Sequence, residues 1–228
     1  MSKTFYLALV MIIMLTGAAV AADIVTVPTA NQLGAGDVDV AYYYLGLDLP
    51  TGAPQFAQVQ TLYLGLANDL ELDVHRYRLD KAGSFIIFNG SLKLLDERKQ
   101  FVDLVIGGRD VTSEMGSPST PGPSGFICAA KTLNPPVGGP PKGPVYRLHL
   151  SVGTKDETLL GNARHNHIFG GLQMVVKFKP HIGVIALNDA RDWITGVTFT
   201  PTPKWPTFKG GKFGKHWWVG TSYTFNLK

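Results

Sequence analysis

Cysteine is almost absent from this sequence: the 228 residues include one, Cys128. A single thiol cannot close an internal disulfide bond, so the chain is not one of the disulfide-stapled domains common among exported proteins. A lone cysteine at the end of a stretch such as "SGFIC" is typical of a small packed side chain. We therefore interpret Cys128 as a packing residue rather than a nucleophile.

Strong charge, long apolar runs and helical patterns are also missing. Lys and Arg number 21 against 17 Asp and Glu, and the formal net charge of +4 is too small to indicate a nucleic-acid partner. After residue 22, no apolar run approaches the roughly 20 residues that a membrane-spanning helix needs. No capped amphipathic stretch of helical period is present. These absences predict an all-β fold, which the 26 glycines and 11% aromatic residues also favour.

The N-terminus has the layout of a secretory signal peptide. Lys3 supplies a positive charge, residues 5–15 form an apolar stretch of 11 residues, and residues 19–22 offer small side chains for cleavage. An uncleaved anchor is the less favoured alternative, because the apolar stretch is short and no stop-transfer pattern follows. We predict that residues 1–22 are removed and that residues 23–228 form one β-barrel domain.

The rest of the chain consists of segments in which apolar and polar residues alternate, as they do in β-strands with one apolar face. Eleven such segments are present, whereas outer-membrane β-barrels have an even number of strands. We therefore infer a further short strand near residues 204–209, where Pro206 weakens the pattern. The prediction is an antiparallel barrel of about 12 strands, with about 10 as the alternative. The alternating segments are residues 37–47, 55–66, 70–79, 84–95, 101–110, 126–133, 145–153, 167–177, 181–187, 191–200 and 217–227.

Two features favour a transmembrane barrel over a soluble, secreted β-sandwich acting as a binding module. The segments have about the 9–11 residues that a tilted membrane strand needs. Aromatic residues near the strand ends would form the girdles of such a barrel. The predicted location is therefore the outer membrane, with its lipid as a partner. The candidate girdle residues are Tyr43, Tyr44, Tyr63, Tyr77, Trp193 and Trp217.

Loop lengths suggest which end of the barrel faces outward, because outer loops are usually longer than periplasmic turns. If the first strand runs outward, residues 111–124 and 154–166 are long external loops. The turns at residues 67–69, 96–100 and 179–180 are then short and periplasmic. The Pro- and Gly-rich stretch at residues 134–144 is the exception, since it would be a long periplasmic connection.

The polar faces of the predicted strands carry both charge signs with small residues between them, which suits a narrow lumen filled by side chains. Charges inside such a lumen must be paired or hydrated, and the near balance of signs favours a paired network over a path for solutes. The candidate lumen-lining residues are Glu71, Asp73, His75, Lys93, Asp103, Arg109, Arg147, His149 and Lys177.

His149 and Ser151 are the strongest candidates for catalysis. Some outer-membrane lipid A deacylases pair a histidine and a serine at this spacing, so a lipid-modifying enzyme is an alternative function. However, a nucleophile needs its base within hydrogen-bond reach, and residues two apart lie about 7 Å apart along a strand. Both side chains would also point to the lumen rather than to lipid. We favour a hydrogen-bonding pair inside the barrel and predict no enzymatic activity.

His165 and His167 share a strand face and could begin a metal site. No carboxylate or cysteine nearby completes the set of ligands that a metal ion needs. We therefore predict no metal site and no cofactor.

Several phrases resemble the YjbH-like family of outer-membrane β-barrel proteins associated with exopolysaccharide. The phrase "VPTANQLGAGDVDVAYYY" is similar to that family's opening, and "LYLGLANDLELDV" resembles its Gly-Leu…Leu-Glu-Leu hairpin. "GSLKLLDERKQFVDLVIGGRDV" resembles its Lys-containing strand with an acidic turn, and "FICAAKTL" its Ala-Ser-Lys strand, with Ala130 in place of Ser. "IFGGLQMVVKFKPHIGVIALNDARDWITGVTFTP" resembles its Gly-Gly-Leu-Glu segment and acidic turn, although Gln173 replaces Glu and Leu187-Asn188 replaces Glu-Tyr.

The resemblance implies an outer-membrane barrel that is non-enzymatic and either structural or involved in the passage of envelope material such as exopolysaccharide. It also implies recognition by the barrel-assembly machinery. Gly220, Tyr223 and Phe225 in "GKHWWVGTSYTFNLK" fit the Gly-x-x-aromatic-x-aromatic spacing that this machinery reads. In that interpretation the final strand closes the barrel, with Tyr223 and Phe225 toward lipid.

Overall fold

A computed structural model describes residues 23–24, 27–48, 54–67, 69–80, 83–109, 111, 124–133, 144–153, 167–176, 180–190, 192–202 and 204–227. The predicted signal peptide lies outside this described part of the chain, as do His165 and Lys177. The described residues form β-strands and turns. None of them forms a helix of the length and apolar character needed to cross a membrane.

Twelve antiparallel strands close into a barrel, which confirms the predicted fold class and strand number. Each strand pairs with the next along the chain, and the last pairs with the first, from Trp218 opposite Leu45 to Asn226 opposite Asp37. Closure leaves no free edge, so the alternative of two packed sheets in a sandwich is wrong. A two-stranded ribbon of β1 (Asp23–Ile24) and β2 (Val27–Pro28) precedes the barrel. The barrel strands are β3 (Asp37–Asp48), β4 (Pro54–Ala67), β5 (Leu70–Leu79), β6 (Gly83–Leu95), β7 (Asp103–Arg109), β8 (Ser124–Thr132), β9 (Val145–Gly153), β10 (His167–Val176), β11 (His181–Asn188), β12 (Trp193–Thr200), β13 (Thr207–Phe213) and β14 (His216–Asn226).

Most predicted strands lie within two or three residues of the observed bounds, and the inferred extra strand is the one that moves most. It was placed at residues 204–209, but β13 runs from Thr207 to Phe213. The strand begins immediately after Pro206 because proline has no N–H to donate to a neighbouring strand. With this strand present, the alternative of about 10 strands is wrong.

Alternation places one set of side chains inside the barrel and the other outside. In β5, Glu71, Asp73 and His75 are buried, whereas Leu70 and Leu72, which alternate with them, are exposed at 38% and 42%. Successive side chains of a strand point to opposite faces, so the polar face of this strand is the inner one.

Three of the predicted girdle residues lie inside the barrel instead. Tyr43, Tyr63 and Tyr77 are fully buried, so their assignment to a girdle is wrong. They occupy the same alternate positions as the inward polar residues of their own strands, and proximity to a strand end gave no information about the face. Trp193 and Trp217 are on the outside, exposed at 59% and 44%.

The two ends of the barrel differ in what they connect. We call the end where β3 begins, at Asp37, and β14 ends, at Asn226, the lower end. The opposite end, where β3 finishes at Asp48 and β14 begins at His216, is the upper end. The loops predicted to be long and external leave from the upper end, after β7 and β9.

Candidate functional site: the barrel interior

The lower half of the lumen contains a network of charges centred on Asp103, which is 5% exposed. Arg147 of β9 forms an ion pair with Asp103, and Lys93 Nζ of β6 lies 3.7 Å from Asp103 Oδ1. The structure therefore brings three of the predicted lumen residues together across strands that are distant in sequence. Opposite charges inside a narrow interior compensate one another's loss of water.

Glu97 completes this network, although sequence reasoning did not select it. It belongs to the turn after β6, and its Oε1 lies 3.3 Å from Arg147 Nη1. Its carboxylate also accepts hydrogen bonds from the backbone N–H and the hydroxyl of Thr132. Glu97 lies in a turn outside the alternating segments, and strand alternation cannot show that a turn folds back under the barrel. We call Lys93, Glu97, Asp103, Thr132 and Arg147 the Asp103 cluster.

A second polar group lies on β5. His75 Nε2 is 2.8 Å from Asp73 Oδ1, and both side chains are buried. The imidazole ring lies against the rings of Tyr63 and Tyr77, with centroid distances of 5.4 Å and 6.2 Å. The phenol rings misassigned to the girdle thus pack around this pair and fill the lumen beside it.

The segment before the barrel, residues 29–34, enters the lower end of the lumen. Leu33 is 1% exposed, packs against Tyr63, and donates its backbone N–H to Glu71 Oε2 at 2.8 Å. Gln32 Nε2 donates to Ser91 Oγ at 2.8 Å. Ala30 is fully buried in a small apolar cluster inside the wall of the barrel. Nothing in the local pattern of "TANQLG" signals this role, because the segment has no regular structure of its own.

Gly65 allows the N-terminal segment to approach the barrel wall. A Cβ at this position would lie 2.0 Å from the backbone oxygen of Gly34, and Gly36 donates its N–H to Gly65 O at 2.7 Å. Only a residue without a side chain permits this contact between two backbones. The glycine is therefore part of the binding surface for the segment.

We expect Gly65→Ala to displace residues 29–34 from the lumen. Amide hydrogen exchange at Leu33 and Gly36 should accelerate by at least about tenfold, because displacement breaks the hydrogen bonds that protect both groups. Gly210→Ala is the matched control, since the nearest atom to its added Cβ is 3.4 Å away. Unchanged exchange at Leu33 in the Gly65 variant would contradict this account of the segment.

Asp39 and Lys209 form a third polar group, which the sequence reasoning did not select. Thr224 Oγ1 donates to Asp39 Oδ1 at 2.8 Å, and Lys209 Nζ donates to the Tyr43 hydroxyl at 3.1 Å. Alternation on β3 places Asp39 on the same face as Tyr43 and could have identified it. Lys209 is the last residue of the strand inferred at residues 204–209, and no face was assigned to the residues of that short segment.

The upper half of the lumen contains a large apolar core, whereas a polar lumen was predicted. Trp218 is fully buried and donates its indole N–H to Thr195 O at 3.3 Å. Its ring packs near Tyr43, with a centroid distance of 6.4 Å. Large apolar side chains from strands around the barrel surround it and fill the interior. The main members of this upper core are Leu45, Phe169, Leu187, Ile194, Phe213 and Trp218.

Arg109, another predicted lumen residue, does not join the Asp103 cluster. Arg109 is 2% exposed but lies at the other end of the 7-residue β7 from Asp103, about 20 Å along the strand. Lys177 falls outside the described residues. The charged residues predicted to line the lumen therefore lie at more than one height inside the barrel.

His149 and Ser151 are buried at 2% and 1% exposure. Ser151 Oγ lies 2.7 Å from Cys128 Sγ, and no hydrogen bond between these described residues joins His149 to Ser151. The serine hydroxyl is thus engaged with the thiol on β8, not with the base that the alternative function needs.

Among the residues that the structure describes, no group of three or more His, Cys, Asp and Glu side chains is placed to hold a metal ion.

The closing strand contains the three residues of the proposed assembly signal. Gly220 lies beneath the ring of Tyr43, because a Cβ there would be 2.3 Å from Tyr43 Cδ1. Tyr223 stacks on Phe225 with a centroid distance of 6.3 Å and is only 7% exposed. The predicted contact of Tyr223 with lipid is therefore largely replaced by contacts within the chain.

No family model and no curated protein matches this chain. The likeness to the YjbH-like family thus stays a prediction from the phrases quoted above. The interior of the barrel is filled from both ends. The N-terminal segment and the charged clusters occupy the lower half, and the upper core occupies the upper half.

Proposed function

We propose that this chain is a small outer-membrane β-barrel with a filled interior and a structural, non-enzymatic role. The observation that carries the proposal is the outer wall. Every barrel strand contributes at least one large apolar side chain exposed by 36% or more. A soluble barrel would reverse this arrangement, and exposed apolar surface on this scale needs a partner such as lipid. One such residue from each strand, in order, is Val40, Leu62, Leu72, Phe88, Ile106, Ile127, Leu150, Leu172, Val184, Val197, Phe208 and Val219.

The placement of charge supports the same proposal. Glu71, Asp73 and Asp103 point into the lumen, where they have partners, and the faces between them are apolar. Charged side chains on a lipid-facing wall are destabilising, whereas lumen positions tolerate them. This pattern supports a membrane barrel, because a water-soluble barrel would need the inverse arrangement.

Fractionation of cells that produce the full chain tests the location. We expect recovery with the outer membrane, release by detergent, and a change of gel migration on heating when the barrel unfolds. Recovery in a soluble fraction without detergent would refute the proposal. The same samples show whether residues 1–22 are removed, because the processed chain is shorter by that segment.

The filled interior favours a structural role over passage through the lumen. A solute path would have to pass the upper core around Trp218 and the N-terminal segment around Leu33. Any role with exopolysaccharide, which the YjbH-like resemblance suggests, would then use the surface of the barrel. We expect purified protein in planar bilayers to give no steady ion conductance, and a stable open channel would contradict this part of the proposal.

The last strand is proposed to direct assembly through its aromatic residues. We expect Phe225→Asp to reduce the folded barrel in membranes severalfold, because it removes an aromatic residue of the assembly signal and places a charge on the outer face. Phe225→Tyr is the matched control, since it keeps the aromatic ring, and should leave the level near that of the natural chain. Equal membrane levels of both variants would argue against recognition of this strand.

A further inference from the structure

A polar patch interrupts the apolar outer wall on the β4–β5 hairpin. Gln58 is paired across the strands with Arg78, and Gln60 with Arg76. The four side chains line a small surface cavity of about 60 Å³. Both arginines are exposed, and their positions on β5 alternate with the buried His75, Tyr77 and Leu79. The patch therefore belongs to the outside of the barrel and not to its lumen.

The two guanidinium groups have no counter-charge within the described residues. Neither guanidinium group, of Arg76 or of Arg78, forms an ion pair or a hydrogen bond with another group that the structure describes. By contrast, Arg98 in an exposed turn pairs with Asp96 at 2.6 Å, and Arg147 in the lumen pairs with two carboxylates. Unpaired arginines on an apolar wall thus need an anion from outside the described chain.

The height of the patch on the barrel agrees with the level of lipid headgroups. Arg78 is the last residue but one of β5, so the patch lies close to the upper end. Gln58 is directly opposite Tyr44, whose ring stacks with Phe56 and Trp217 at centroid distances of 5.2 Å and 5.4 Å. Aromatic clusters mark the interface of membrane barrels, where an outward arginine costs little, while the same residue at the bilayer midplane is destabilising.

We propose that Gln58, Gln60, Arg76 and Arg78 bind the phosphate group of a membrane lipid. This inference rests on the proposed outer-membrane location. Arginine presents a planar set of donors that matches phosphate oxygens in pairs, and two arginines about 7 Å apart on one strand face can hold one phosphate between them. The glutamine amides supply further donors.

The surroundings of the patch favour a lipid over a free anion. Phe56 and Leu62 on β4 and Ile86 on β6 are exposed apolar side chains that flank the four polar groups. A lipid would place its phosphate on the arginines and its acyl chains against these neighbours, so both parts of the ligand meet matching surface. A soluble phosphate would use the arginines alone.

The test measures lipid retained by the purified barrel. The full chain in mild detergent is mixed with phosphatidic acid or with diacylglycerol of the same acyl chains, and bound lipid is counted by native mass spectrometry. We expect the natural chain to retain phosphatidic acid about tenfold better than diacylglycerol, as expected for hydrogen bonds to a charged group. Arg76→Gln with Arg78→Gln should abolish this preference. Millimolar inorganic phosphate should displace little of the bound lipid.

Matched controls separate this site from general charge effects. Arg98→Gln with Lys99→Gln also removes two cations, from an exposed turn at the lower end, and should leave the preference intact. The lipid site would be overturned if the double variant of Arg76 and Arg78 retained phosphatidic acid as well as the natural chain does. Full displacement of the bound lipid by inorganic phosphate would also overturn it. If the natural chain forms dimers and this double variant does not, with lipid retention unchanged, the patch is a contact between copies, and the lipid site is overturned.

The failure of the lipid site is distinguishable from failure of the proposed function. The natural chain and both double variants are fractionated in parallel. A natural chain in the soluble fraction removes the basis of both proposals. A natural chain in the outer membrane that shows no preference for phosphatidic acid overturns the lipid site alone.

Discussion

Replacing Trp218 with alanine is expected to lower the free energy of unfolding by about 3–5 kcal/mol. The indole ring is fully buried in the upper core, between Tyr43 and the strands β12 and β13, and its N–H is bonded to Thr195 O. Removal leaves a cavity that the closed sheet cannot collapse to fill, and it leaves a buried carbonyl oxygen with one donor fewer.

The neighbouring Trp217 provides a control of the same chemistry on the opposite face. It is 44% exposed and touches the rings of Tyr44 and Phe56. Trp217→Ala should cost about 1–2 kcal/mol, the amount expected for two aromatic contacts. Urea titration of the barrel refolded in phospholipid vesicles, followed by circular dichroism, gives both values. A loss for Trp218→Ala no greater than that for Trp217→Ala would contradict the description of the upper core.

Arg147→Ala is expected to cost about 3 kcal/mol, the lower end of the range for breaking a buried ion pair. The lower value applies because the Arg147 side chain is still 17% exposed to solvent. Its guanidinium contacts both Asp103 and Glu97, so truncation leaves two carboxylates with Lys93 as the nearest cation, 3.7 Å from Asp103. Repulsion between the Asp103 and Glu97 carboxylates and the loss of the hydrogen bonds from Arg147 both destabilise the lower half of the lumen.

Arg98→Ala is the control for this second prediction. The Arg98 side chain is 84% exposed, and its pair with Asp96 should contribute no more than about 1 kcal/mol. A double-mutant cycle isolates the buried contact: in an Asp103→Asn background, Arg147→Ala should cost less than it does in the natural chain. The same loss in both backgrounds would show that Arg147 stabilises the barrel by some means other than its pair with Asp103.

The two predictions address the two halves of one interior, and together they explain why we favour a structural role. A channel would have polar side chains lining an open, water-filled lumen. Here the charged residues pair across the lower lumen and apolar side chains meet across the upper one. The outer wall, with its apolar band and its arginine patch, is then the surface available for interaction with other molecules.

The sequence by itself determined the strands and, in most of them, which residues share a face. Alternation identified β5 and β9 to the residue, and it placed Glu71, Asp73 and His149 on one side of their strands. The reason is physical: a strand has a side-chain period of two, and a closed barrel has one polar and one apolar side at each strand. The even count expected of an outer-membrane barrel favoured 12 strands with 10 as the alternative, and the closed sheet decided for 12.

Only the tertiary structure decided what the interior contains. Arg147 meets Asp103 because β7, β8 and β9 pair in a particular register, and Glu97 joins them because a turn folds beneath the lumen. The entry of residues 29–34 depends on a bare backbone at Gly65, on a strand some 30 residues later in the chain. Local sequence patterns record which residues face the same way; they hold no information on register, closure or packing between segments distant in sequence, and those fix which side chains meet inside the barrel.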